Sequence, residues 1–139
     1  MKNRKLLLIP ILIPILILLC ISVGCKESEF DSNYMKFIES YILATEFVEK
    51  DDDSLETIKK MDINAVETEL KKMKEAMDKM YTESKSKDEK GIYGNVENYY
   101  NGVEFLVYAA KNIDKLSIDE RRKVYIEAIL ASMNRDNMR

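Results

Sequence analysis

The chain of 139 residues has no histidine and no tryptophan, and its few cysteines, prolines and glycines are unevenly spread. Without histidine it lacks the side chain that ordinarily titrates near neutral pH and the commonest metal ligand. Both cysteines, Cys20 and Cys25, lie in the first 25 residues, so the remainder can close no disulfide within itself. Both prolines, Pro10 and Pro14, also lie there, and after Gly24 glycine occurs only at 91, 94 and 102. A stretch this poor in helix breakers and rich in Lys, Glu, Met and Leu is predisposed to helix. There is no glycine-rich phosphate loop, no Gly-x-Ser-x-Gly elbow, and no carboxylate pair that stands apart from the many others. The residues call for no cofactor and no metal, and they predict a protein that is not an enzyme.

The opening stretch differs from the rest. Lys2, Arg4 and Lys5 precede an apolar run from Leu6 to Leu19, and Ser22, Val23 and Gly24 lead directly into Cys25. A charged head, an apolar middle and a small-residue exit form a secretory signal. The exit resembles the lipobox of bacterial lipoprotein precursors, although Ser22 stands where that pattern favours an aliphatic residue. The resemblance covers positions 22 to 25. It implies cleavage between Gly24 and Cys25 and a diacylglyceryl thioether on Cys25, with further acylation such as palmitate. The alternative is an uncleaved signal anchor, since Leu6 to Gly24 approaches the roughly 20 apolar residues that span a bilayer. In either case the basic head stays in the cytoplasm and the rest lies outside, at the cell membrane. The expected organisation is a signal peptide at 1–24, a lipidated tether at 25–28 and a helical domain at 29–139.

The first 24 residues hold three of the 22 basic residues and none of the 25 acidic ones, so the remainder is more acidic than the whole chain's −3, at −6. Such a domain repels nucleic acid and anionic lipid. Its length suits one domain with a real core.

Apolar spacing predicts a helix at about 29–50, capped by Ser28 with Asp31, on the stripe Phe30, Tyr34, Phe37, Tyr41, Ala44 and Val48. Asp53 with Glu56 and Asn64 with Glu67 read as two further capping pairs. Between them either one long helix runs from 54 to about 86, which the pattern slightly favours, or the chain breaks near Asp62. Ser84 to Lys90 reads as a solvated connection. Ile92, Val96, Tyr99, Val103, Leu106, Ala110 and Ile113 predict a helix from 91 or 95 to 113. Ser117 with Glu120 caps the last helix, whose stripe reads Ile118, Arg122, Tyr125, Ile129 and Met133, with Ile126 and Leu130 beside it, fraying from Asn134. One-sided stripes and short connections predict an all-α, antiparallel up-down four-helix bundle, or three long helices plus a short one if Asp62 interrupts.

Three places invite a functional reading. Met73, Met77 and Met80 share a helical face, and thioethers select Cu(I), but core filling is the simpler account. Asp51, Asp52, Asp53 and Glu56 lack the alternate spacing and glycine turn of a calcium loop. The window from Gly94 to Gly102 is poor in helix formers, and Tyr93 beside it with Asn98, Tyr100 and Asn101 within it are the candidate partner-binding residues. The layout resembles that of small uncharacterised bacterial lipoproteins. The expected function is therefore non-enzymatic binding of an envelope protein by a membrane-tethered bundle. The alternative is a small-ligand or Cu(I) carrier using Met and Tyr positions between helices.

Overall fold

The computed structural model describes residues 28–48 and 53–139. The expected signal segment with Gly24 and Cys25, the expected tether at Lys26 and Glu27, and the acidic pair Asp51 and Asp52 lie outside the described residues. Among the described residues there are helices and no strands: α1 (Glu29–Ala44), α2 (Ser54–Lys59), α3 (Ile63–Glu83), α4 (Lys87–Lys111), a 3-10 turn (Ile113–Lys115) and α5 (Ile118–Met138). The protein is an all-α bundle of four long helices and one short one.

Each helix begins where a side chain captures the free N–H groups of its first turn. Ser28 Oγ accepts from Asp31 N at 3.0 Å, and Asp53 accepts from Leu55 N and Glu56 N at 2.9 and 3.3 Å. Asp62 accepts from Ala65 N at 3.1 Å. That bond ends the idea of one continuous helix from 54 to 86. Asp62 takes a non-helical conformation to reach its donor, so α2 closes at Lys59 and α3 starts at Ile63. Asn64, expected to cap, lies inside the first turn of α3 instead. Ile58 near the end of α2 and Met61 in the connection both reach the core. α4 also starts earlier than expected. Ser86 and Glu89 form a reciprocal capping box, with Ser86 N donating to Glu89 Oε2 at 2.7 Å, within the stretch that reads as a solvated connection. Ser117 and Glu120 form the second such box, as their spacing predicts.

Side-chain bonds between helices fix their directions. Asn33 near the start of α1 donates to Glu83 at the end of α3 (3.0 Å), and Lys111 at the end of α4 meets Glu67 at the start of α3 (2.5 Å). Tyr108 late in α4 donates to Glu120 early in α5 (3.0 Å). So α1 and α3, α3 and α4, and α4 and α5 are antiparallel neighbours. α1 packs most extensively on α3, while α2 rests against α4 and α5. The core is filled by Phe37, Tyr41, Ile58, Met73, Met80, Leu106 and their neighbours. α1 stops at Ala44, short of the expected 50. Thr45 turns its hydroxyl back to Tyr41 O at 2.8 Å, and Val48, outside the helix, is still buried.

The last helix is rotated from the expected orientation. Val124, Ala128, Ala131, Ser132 and Arg135 face inward, and the bulkier stripe faces out. Nor does its end fray at Asn134. The helix runs to Met138, and the Arg135 guanidinium, 3 % exposed, donates to the Thr45 carbonyl. A cation on the last carbonyls of α1 complements that helix's dipole and anchors α5 across the bundle.

Candidate functional site

α5 carries two faces made of different residues. Small side chains at 128, 131 and 132 let its backbone approach the bundle closely, and polar contacts at both ends fix its rotation. At one end are the Tyr108–Glu120 bond and the Arg121 guanidinium, which donates to the carbonyls of Leu116 (3.2 Å) and Ile113 (3.4 Å). At the other is Arg135 on Thr45. Lys123 Nζ lies 4.2 Å from the centre of the Phe105 ring, a cation–π contact. With the rotation fixed, Ile118, Tyr125, Ile126, Ile129, Leu130 and Met133 project into solvent, exposed by between 40 % (Tyr125) and 71 % (Ile118). These are most of the large exposed apolar side chains among the described residues, and they share one helix. Single exposed apolar residues need no explanation, but a contiguous patch of several hundred Å² usually marks a contact surface.

Beside this face lies a cleft of about 480 Å³ between α4, α5 and α1. Asn98, Tyr99 and Asn101 line one wall, Glu127, Leu130 and Asn134 the other, with Tyr41 among its lining residues. Gly102 also lines the cleft. A methyl group there would come within 2.7 Å of Glu127 Oε2, at the movable end of a side chain. Burial pushes the Tyr41 hydroxyl up to about 12, against the opposing effect of a hydrogen bond from Asn134.

The four residues singled out in the window are not brought together. Asn98 and Asn101 line the cleft against α5. Tyr93 packs on Tyr81 of α3, ring centres 5.5 Å apart, and Tyr100 donates to Glu104 at 3.3 Å on the side facing α3. Burial and then Glu104 raise the Tyr100 hydroxyl, while the bond to Glu120 raises that of Tyr108. Comparison with family models, with curated proteins and with solved structures found no match for this chain. The site therefore rests on its own geometry.

Met73, Met77 and Met80 are 0–3 % exposed and belong to the core. Asp53 serves as a helix cap. Among the described residues no group of three or more His, Cys, Asp or Glu side chains is placed to hold a metal ion, and no helix is long and apolar enough to cross a membrane. Reading the sequence for one stripe per helix misses the pairing of Glu127, Leu130 and Asn134 with the asparagines of α4. The available signal was Ala128, Ala131 and Ser132, a second and smaller face at helical spacing.

Proposed function

We propose that this chain is a lipid-anchored, extracytoplasmic helical bundle that works by binding protein at the cell envelope rather than by catalysis. The outward face of α5 is its contact surface. The observation that carries this reading is the concentration of large apolar side chains on that face, while small ones serve the core (Ile129 at 45 % exposed against Ala128 at 1 %). Placing bulky apolar groups half in water while Ala and Ser occupy the bundle interior forgoes roughly half of the ~1.5–3 kcal/mol that full burial of each large side chain supplies, which a partner would recover. The anchor is Cys25, and attached acyl chains at about 0.8 kcal/mol per buried methylene would hold the bundle at the membrane.

The test is site-specific photo-crosslinking in cells with a reactive group at Ile129 and, as control, at the exposed Lys71 of α3. Protein adducts at 129 that disappear with Tyr125→Asp support the reading; equal adducts at both positions sink it. Mass spectrometry of the amino-terminal peptide checks the anchor. An acylated Cys25 supports it, and a retained signal replaces it with a signal anchor of the same topology. The cleft of about 480 Å³ beside α5 favours a second reading, a carrier of a small polar ligand held by Tyr and Asn groups. The Cu(I) form of that reading is weaker, because the thioethers it needs are core side chains.

A further inference from the structure

We infer that the occupant of the outward α5 face is the same face of a second copy of this chain, in an antiparallel pairing centred on Ile129. This rests on the reading of that face as a protein-contact surface and goes on to name its partner.

The first support is the layout of the face. Ile118, Arg122, Tyr125, Ile129, Met133 and Asp136 follow one another at spacings of three and four, so they form a single stripe along α5. Its apolar middle is interrupted by charge only at Arg122 and Asp136. These two stand seven residues before and seven residues after Ile129. Seven residues are almost two whole turns, so all three share one side of the helix. A two-fold axis at Ile129 brings each Arg122 to the level of the other copy's Asp136. An isologous contact needs this self-complementarity, because the same patch must satisfy itself.

Neither charge is committed elsewhere in a way that resists re-pairing. Arg122 Nη1 lies 3.3 Å from Asp119 Oδ1 with both side chains largely in solvent, a weak arrangement. The Asp136 carboxylate is 3.7 Å from Arg135 Nε and is itself more than half exposed.

Area supports the same occupant. Six large apolar side chains, each 40–71 % exposed, stand on one face, and a contact between two copies would cover both sets, toward the roughly 1,000 Å² that a specific interface buries. A membrane surface fits less well. α5 carries four acidic and four basic residues, whereas surface-seeking helices present a predominantly Lys and Arg polar face.

The experiment uses the full chain with its own signal, expressed in cells as two differently tagged copies and treated with a short bismaleimide crosslinker. Ile129→Cys is expected to give a homodimer that Lys71→Cys does not, with circular dichroism unchanged because both positions are exposed. Arg122→Asp alone and Asp136→Arg alone, each in the Ile129→Cys background, should each weaken self-pairing by about tenfold. Co-expressed, the two variants should pair with one another and not with themselves, since each supplies the charge that the other needs. Crosslinking at 129 no greater than at 71 overturns the proposal. A dimer whose mixed variants fail to pair overturns the antiparallel arrangement. An adduct at 129 to a different protein overturns the second copy while leaving the protein-binding reading intact. Adducts to lipid alone overturn both.

Discussion

α3 and α5 are each 21 residues long and each carries an apolar stripe, yet the bundle uses them in opposite ways. In α3 the stripe Val66, Leu70, Met73, Met77 and Met80 is the buried face, and its neighbours are charged. In α5 the obvious stripe faces water, and Val124, Ala128, Ala131, Ser132 and Arg135 do the packing. The difference teaches that a stripe reports only where burial would be favourable. Which burial the bundle supplies depends on what the neighbouring helices offer. α3 lies between α1 and α4 and has apolar surface to fill. α5 packs chiefly on α4 and is pinned in rotation by Arg135 and by the Tyr108–Glu120 bond.

The sharpest break of this comparison is a pair of truncations. Met73→Ala removes a fully buried side chain and should cost about 2–5 kcal/mol in denaturant unfolding. Ile129→Ala, on the outward stripe, should lie within about 0.5 kcal/mol of wild type when measured dilute. Equal losses would mean that α5 is turned the other way. Arg135→Leu should come next, at about 2 kcal/mol, because the Thr45 carbonyl loses a charged donor in a buried place. It should also raise the amide exchange of α5 above that of α3, since the pin at the end of α5 is gone.

Alkali probes the contact between α1 and α5. The Tyr41 hydroxyl is raised to about 12 in the folded state, so the fold holds that proton more tightly than the unfolded chain does. Its contribution is fully present below about 10, the ordinary tyrosine value, and is lost as pH rises toward about 12. Tyr41→Phe should therefore show a smaller loss of stability than wild type across that window. A parallel loss in both proteins would remove Tyr41 from the account. Ser117→Ala should cost about 1 kcal/mol from the cap of α5, less than Met73→Ala or Arg135→Leu. Glu120, held below the usual carboxylate range chiefly by the Ser117 hydroxyl, should titrate closer to its ordinary value in that variant, by NMR.

Much of the bundle was legible as pattern. The stripes of α1, α3 and α4, and the caps at Ser28, Asp53 and Ser117, are local: a side chain three residues away reaches a backbone N–H whatever else the chain does. The break at Asp62 was less so, because Asp62 and Asn64 are both able to cap within two residues, and the start of α4 at Ser86 lies in a charged, serine-bearing stretch that reads as a connection. The window residues were legible only singly. That Asn98 and Asn101 face α5 while Tyr93 and Tyr100 face α3 depends on how α4 is flanked, which spacing within α4 cannot express.

By itself the sequence determined the all-helical class, the absence of a disulfide beyond Cys25, the acidic character of residues 25–139 and three helix starts, after Ser28, Asp53 and Ser117, since each follows from composition or from contacts a few residues long. Only the tertiary structure decided which side of α5 the bundle keeps. That choice depends on partners ninety residues away, as Arg135 and Thr45 are, and helical periodicity cannot rank a bulky face against a small one until the neighbouring surface is in place.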